Sequence, residues 1–368
     1  MARGLHVPTS LAFLPDGQIL VGEQRGLVLR VTRGRIERRP FLDLRRRVNT
    51  FNERGLMAIA ARGGFLYAYY AVEAQGRPPR QPTGMRLSRF RIRGGRAVPA
   101  SEVVVLGRRS RDGCAGALAR ADCIPANCGC HVGGDVEFGP GGAIFLSTGD
   151  AANAGFTNSN ALRAQQLDSL AGKLLRVRSD GSGPRTNPFW TGRARDNRSK
   201  VWALGLRNPF RFTLQPGTVP LVADVGWLDW EELDVASRGA NLGWPCYEGR
   251  RIQPRYRRWT ECAQLYRRHP HRLRAPAYVY ARRRGAGIVG GDFARSYPEP
   301  YRGAYFFADV VRGWIRYVPR GLLEGGRVRA RPFARGADGP VDLEAGPGGN
   351  LYYLAVKAGE LRRIRFEH

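Results

Sequence analysis

The chain has very little lysine, histidine or methionine: among 368 residues there are five histidines and three methionines, and Lys173, Lys200 and Lys357 are the only lysines. So few histidines leave little choice of a side chain that titrates near neutrality. The six cysteines lack the interleaved histidines and spacing of zinc modules. No apolar run approaches the ~18 residues that a membrane-spanning helix needs. No Pro/Ser-rich linker or composition break divides the sequence, and RGG boxes, aromatic RNA-binding signatures and helix-turn-helix patterns are missing. A sustained 3.6-residue apolar period is absent as well. QQLDSLAGKLLRV comes nearest, and Gly172 interrupts it, which argues against a helical or βαβ protein.

What is present is arginine, turn residues and short apolar runs. The formal charge of +29 is scattered through every segment rather than gathered into one arm, so it reads as a solvated basic surface and no specific nucleic-acid partner is expected. The hydrophobic fraction of 43% with 10% aromatics is enough for a sizeable core. Cys246 and Cys262 bracket one Arg-rich insertion and Cys114 and Cys123 another, as loop staples do in an oxidising compartment. Cys128 and Cys130 admit two readings, a further disulfide or, with His131, part of a metal site. Met1 stands almost directly before a β-like segment with no signal peptide in front. An extracellular or periplasmic location is expected, with the leader absent from this chain.

One unit recurs with irregular spacing: a Gly-containing turn, a short apolar strand, a variable loop, and a second strand rich in Arg and aliphatics. The compact copies begin at Leu14 (LPDGQILVGEQRGLVLRV), Tyr301 (YRGAYFFADVVRGWIRYV) and Gly346 (GPGGNLYYLAVKAGELRRIRF). Three others open the loop between the strands. ARGGFLYAYYAV at Ala61 is matched with GMRLSRFRI at Gly84, GPGGAIFLSTGD at Gly139 with GKLLRVRSDG at Gly172, and QPGTVPLVADVG at Gln215 with WEELDVASRGANLGWP. Six units share the length at about 61 residues each, longer than compact propeller repeats because of the inserts. Small sheets that cannot bury both faces alone do so when arranged radially. The expectation is an all-β, six-bladed β-propeller with long inter-strand loop insertions, one domain over residues 1–368; an irregular β-sandwich is the alternative.

Three constellations could carry chemistry. His131, in CHVGGDVEFGPGG, precedes a strand pair that ends in STGD, so its imidazole and the Asp150 carboxylate could meet at one end of a blade as a base and its orienting partner. Arg207 and Asn208, in GLRNPF, combine a permanent forked cation with a neutral donor and acceptor, which suits a planar polar anion. The acidic cluster Asp224, Asp229, Glu231, Glu232 and Asp234 stands among Gly bends, the ligand mixture that a hard cation such as calcium prefers. His6 and His368 lie near the termini, and His269 and His271 sit in a stretch that reads as a solvated loop.

In this order the constellations resemble the glucose/sorbosone dehydrogenase family, soluble six-bladed propeller enzymes that use pyrroloquinoline quinone (PQQ). The likeness covers nearly the whole chain through VPTSLAFLPDGQILVGE, NERGLMAIA, HVGGDVEFGPGGAIFLSTGD, GKLLRVRSDGSGPRTNPFW, GLRNPF, DVGWLDWEELDVASRGANLGWP and YRGAYFFADVVRGWI. The resemblance implies that His131 is the base that takes the hydroxyl proton while hydride passes to the quinone, with Asp150 beside it. It implies cofactor contacts from Glu53, His131, Arg207 and Asn208, and Ca2+ held by the main-chain carbonyls of Gly226 and Trp227 with Glu232 nearby. The substrate it implies is a small sugar or polyol, oxidised in the aldose-to-lactone manner, with a separate electron acceptor that the sequence does not identify. A second reading is a non-catalytic propeller of the same descent that binds a carbohydrate, protein or envelope partner, as hedgehog-interacting-type relatives resemble the enzymes without acting as them. The chain departs from the family at the cofactor carboxylates. Val311 stands where a Lys is expected, and Gly339 and Val341 where two Arg are expected; Arg312 is a nearby candidate to replace them.

Overall fold

The computed structural model describes residues 1–73, 78–112, 114, 116, 121–215, 219–268, 273–283, 286–321 and 328–366. His269, His271 and His368 lie outside them. Six small antiparallel sheets form the six blades, and each hairpin foreseen in the sequence supplies the second and third strands of one blade. In blade 1, Ile19–Glu23 pairs with Leu27–Thr32. Gly26, at φ +95°, makes the reversal between them, where a Cβ would come within 2.9 Å of the Val48 side chain; only glycine meets both conditions without strain.

Each blade gains two strands that the repeat did not reveal. An inner strand lines the axis: Pro8–Phe13, Leu56–Arg62, Val136–Phe138, Pro209–Leu214, Ile288–Val289 and Pro340–Ala345 for blades 1 to 6. An outer strand completes the edge. In blade 6 that strand comes from the other end of the chain, since Ala2–Arg3 pairs with Glu360–Arg363 and so ties the first residues to the last blade. The insertions add strands of their own. Thr83–Arg93 of blade 2 also pairs with Val103–Leu106 and Ile124–Ala126, and Tyr247–Glu248 forms a small hairpin with Arg251–Ile252. No helix among the described residues is long and apolar enough to cross a membrane.

The second strands explain why the apolar runs are continuous rather than alternating. Ile144–Thr148, Tyr305–Asp309 and Leu351–Ala355 are buried at every position because a neighbouring blade packs on each face. The core is correspondingly divided into interblade layers. Leu20 and Val28 meet Leu56 and Leu66 between blades 1 and 2, Tyr67 and Tyr69 meet Ile144 and Leu146 between blades 2 and 3, and Phe145 and Leu174 meet Phe212 and Val222 between blades 3 and 4. The remaining three junctions follow the same pattern, the last joining Leu354 of blade 6 to Val21 of blade 1.

The inner strands are joined by polar side chains that reach across the axis. Arg211 of blade 4 is 1% exposed. Its guanidinium donates to the carbonyls of Thr9 in blade 1, Met57 in blade 2 and Gly134 at the start of blade 3, and its Nε lies 3.2 Å from Asp342 Oδ1 of blade 6. Asp342 in turn accepts from Leu11 N–H at 2.6 Å, and Asp292 of blade 5 accepts from Ala345 N–H at 3.2 Å. Further along the channel, Asp135, Glu137 and Glu344 converge, each offering an oxygen within 4.8 Å of the others. A mouth of ≈ 540 Å³ lined by Glu137, Thr213, Asp292 and Glu344 opens beyond them.

Burial pushes the Asp342 carboxyl up to about 6, against the pull of Arg211. Asp135 is raised for the same reason, and Glu137 and Glu344 are raised well above the usual range by burial and then by neighbouring carboxylates, Asp135 foremost for Glu137 and Glu137 foremost for Glu344. These folded-state acids hold protons that the unfolded chain loses near pH 4. Their contribution to stability is therefore full below about pH 4 and is lost as the pH rises through about 6 and above. In calcium-free buffer the thermal midpoint should fall between about pH 5 and about pH 8, and Glu137→Gln with Glu344→Gln should flatten that slope. Arg211→Leu strands Asp342 and several carbonyls, and should cost about 3 to 5 kcal/mol in denaturant unfolding.

Candidate functional site

In an antiparallel blade the start of the inner strand and the end of the second strand lie at the same end. Glu53, His131, Arg207 and Asn208 precede inner strands, whereas Asp150, Gly226 and Trp227 follow second strands. All seven are thereby delivered to one face of the propeller, from blades 2, 3 and 4. Contacts between residues 76 and 78 positions apart arise for this reason alone.

At the centre His131 Nδ1–H donates to Asp150 Oδ1 at 2.9 Å, and Arg207 Nη2 donates to His131 Nε2 at 2.6 Å. One carboxylate acceptor and one guanidinium donor select the neutral Nδ1–H tautomer, with the Nε2 lone pair turned to Arg207. Asp150 is further fixed by Trp244 Nε1–H at 2.7 Å and by Ala152 N–H at 2.8 Å. Burial pushes the Asp150 carboxyl up, but His131 and Arg207 outweigh it and hold it below the ordinary range. Arg207 is lowered by burial, and its Nε is buried without a partner. The same guanidinium also donates from Nη1 to the carbonyls of Val225 at 2.9 Å and Gly226 at 2.6 Å. Glu53 Oε2 accepts from His131 N–H at 2.8 Å, and Asn208 Oδ1 from Gly133 N–H at 3.1 Å. The centre is closed: His131, Asp150 and Arg207 are 3%, 0% and 5% exposed.

The loop after Asp224 is organised by a residue that the sequence did not single out. Glu248 Oε1 accepts from the successive N–H groups of Trp227, Leu228 and Asp229 at 2.8, 2.7 and 3.0 Å, and from Trp230 at 3.3 Å. Gln253 Nε2 binds its other oxygen at 2.8 Å. With its N–H groups turned to one carboxylate, the loop turns the carbonyls of Val225 and Gly226 to Arg207 and that of Asp229 to Arg282 N–H. The insertion that carries Glu248 is stapled by Cys246–Cys262, and it packs Tyr256 against Trp227 and Trp244.

The acidic cluster does not gather into one site. Strand alternation puts Asp224, Glu232 and Asp234 on one side and Glu231 on the other. Glu231 binds Arg282 and Ile288 N–H, and Asp224 accepts from the Arg207 and Asn208 N–H groups. Glu232 accepts from Gly249 N–H. Both oxygens of Asp234 are buried without partners, and burial raises its carboxyl well above the usual range. Among the described residues the one convergent set of three metal-ligating side chains is Asp135, Glu137 and Glu344, along the channel.

Cys114–Cys123 pairs as the spacing suggested. Cys128 and Cys130 form a disulfide with each other, so neither thiolate is available for the metal reading with His131. Arg312 is committed elsewhere: Nη2 donates to the carbonyls of Ala281 at 2.7 Å and Arg283 at 2.8 Å, over the Tyr280 ring. Val311 and Gly339 share a different cationic neighbour. Lys357 is exposed; its Nζ lies 3.5 Å from the Val311 carbonyl, and its Cγ is 3.1 Å from where a Cβ on Gly339 would sit.

The family model for glucose / sorbosone dehydrogenase matches residues 5–362. The chain is 31% identical to the HIPL2 protein of Arabidopsis thaliana over 244 residues, which is 59% of this chain and 34% of that protein, so the chain spans about a third of that relative. Its fold is similar to that of a Thermus thermophilus protein described provisionally as an oxidoreductase (glucose dehydrogenase), with a TM-score of 0.73, 28% identity and coverage of 98% and 95% of the two chains. The PQQ-bound aldose sugar dehydrogenase of Streptomyces coelicolor shares the fold at a TM-score of 0.67 and 21% identity, over 98% and 92% of the chains. Glu248→Ala leaves four N–H groups without their acceptor. Since bonds to a charged group contribute about 1.5–3 kcal/mol, amide hydrogen exchange at Trp227–Trp230 should accelerate about tenfold or more, read by NMR or mass spectrometry.

Proposed function

The chain belongs to the glucose/sorbosone dehydrogenase family, and on that premise we propose that it oxidises a sugar or polyol hydroxyl with PQQ and Ca2+, using His131 as base. The supporting observation is the buried series Asp150–His131–Arg207, in which a carboxylate kept ionised orients an imidazole whose other nitrogen carries a lone pair. PQQ, when bound, supplies the hydride acceptor, and Ca2+ a Lewis acid.

The residues suit a planar polyanion. Arg207 has a buried Nε without a partner, and Asn208 and Glu53 flank it through the His131–Gly133 backbone. Lys357 follows the second strand of blade 6, at the same end of the propeller as these residues. It stands beside the positions where the resemblance expects cations and would meet the cofactor carboxylates in their place. The carbonyls of Gly226 and Trp227, with Glu232 in the strand behind, would hold Ca2+. Arg207 occupies the Gly226 carbonyl and His131 Nε2 at once, so a single movement of its guanidinium exposes both the carbonyl and the base. His131 then accepts the hydroxyl proton at Nε2, and the imidazolium is stabilised through Nδ1–H by Asp150, which Trp244 and Ala152 keep in place. Burial around this series excludes bulk water from the proton transfer. The three disulfides favour action in an extracellular or periplasmic compartment.

The non-catalytic reading draws on a different observation: His131 Nε2 is capped and the centre closed. The two are separated by mixing the protein with PQQ and excess calcium and following dye reduction across a panel of aldoses. Turnover should require PQQ, calcium and sugar together, and His131→Ala should lower it by about 10²–10⁴-fold. Lys357→Ala should weaken PQQ binding about tenfold or more, as expected for one charge-assisted contact. Absence of PQQ uptake by the unaltered protein, by spectrum or calorimetry at tens of micromolar, would favour the binding propeller.

A further inference from the structure

Of the three disulfides, Cys128–Cys130 closes by far the shortest loop, with a sequence separation of 2 against 9 and 16 for the others. Loop-closure entropy grows with loop length, so this bridge restrains the unfolded chain least. Global stability is therefore a poor account of it, and its surroundings suggest another.

The bridge lies against both halves of the His131 pair. Each sulfur is 3.0 Å from the Ala152 carbonyl oxygen, in the turn whose Ala152 N–H is bonded to Asp150 Oδ1. The intervening residue, Gly129, accepts from Glu53 N–H at 2.9 Å, and Glu53 returns a carboxylate oxygen to His131 N–H. Gly129 has φ +72°, and a Cβ there would meet the Phe51 ring at 2.9 Å. His131 and Ala151 both occupy the left-handed region, at φ 48° and 52°, and Ala151 N–H donates to the His131 carbonyl at 3.2 Å. Side chains other than glycine hold that conformation when their surroundings over-determine it. Here the surroundings are the Glu53 clasp on one side and the Asp150–Ala152 turn on the other; the two sulfurs touch the turn, and Gly129 between them holds the clasp.

We infer that Cys128–Cys130 is a positioning element that sets the register between His131 and Asp150, and with it the imidazole tautomer. The catalytic consequence rests on the proposed role of His131 as base; the structural consequence does not. With the bridge open, Cys128 and Cys130 lose their shared position against the Ala152 carbonyl, the left-handed turn at His131 relaxes, and the Nδ1–H contact to Asp150 is no longer enforced.

The test is ring ¹⁵N NMR of histidine-labelled protein without cofactor, with His131 assigned through His131→Gln. The unaltered protein should show one Nδ1–H tautomer at His131. Cys128→Ser with Cys130→Ser, and the corresponding alanine pair, should show both tautomers in exchange while the far-UV spectrum stays native. Cys114→Ser with Cys123→Ser should leave the tautomer as it was. If the protein turns over with PQQ, the serine pair should lower kcat about tenfold or more with KM within about threefold. A folded serine pair that keeps the single Nδ1–H tautomer overturns the inference, whatever the cofactor result. So does a serine pair with no folded protein at room temperature, because the bridge would then be a global staple.

Discussion

One buried guanidinium holds the inner ring of this molecule together. Arg211 stands where six inner strands approach the axis, and it contacts backbone or carboxylate from blades 1, 2, 3 and 6 while belonging to blade 4. Apolar layers join each blade to its neighbours, but a layer between two flat sheets tolerates sliding because dispersion and the hydrophobic effect have little direction. A planar cation with a fixed fork of donors has direction. It sets how far the inner strands it contacts advance along the axis, and so how high their starts stand at the face where the candidate site gathers. Further along the channel, burial first and neighbouring carboxylates second raise Glu137 and Glu344, whereas Arg211 pulls against the rise at Asp135 and Asp342.

The functional face repeats this arrangement. Arg207, the counterpart that precedes the same blade 4 strand, also ties elements of different blades, but its partners are an imidazole and two loop carbonyls rather than inner strands. The difference in partners gives the two arginines different freedom. Releasing Arg211 would strand a carboxylate and several carbonyls in a dry interior. Arg207 sits at the end of the channel beside loops anchored independently by Glu248 and by the Cys246–Cys262 insertion, so it can move without dismantling the blade beneath.

Much of the architecture was legible from local pattern. A hairpin is a local object, so the six strand pairs could be found from turns and apolar runs such as GPGGNLYYLAV, and the structure keeps each pair. The inner and outer strands were not part of that repeat: Ile288–Val289 and Ala2–Arg3 are too short to carry a pattern, and longer inner strands such as Leu56–Arg62 stand outside the hairpin, before its first turn. At the site, His131, Asp150, Arg207 and Asn208 were legible as chemical types next to strand ends. Trp244 and Glu248 were not. The indole that binds Asp150 comes from 94 residues further along the chain, and a glutamate in an Arg-rich insertion looks like a surface residue. The acidic cluster was legible as a cluster and misleading as a site, because strand alternation sends its members to opposite sides.

By itself the sequence determined what depends on neighbours along the chain: the turns, the strand pairs, their number, the residue types available for chemistry and the pairing of Cys114 with Cys123. The tertiary structure alone decided which blade closes on the N-terminal strand, that Arg211 becomes the axial tie, that Cys128 pairs with Cys130 against Ala152, and that Lys357 rather than Arg312 stands beside Val311 and Gly339. The reason is that strand pairing within a hairpin is governed by short-range geometry and burial period. The identity of the group that meets a buried charge is governed by which distant segments a closed ring brings within hydrogen-bonding reach, about 3 Å, and no spacing along the chain encodes that.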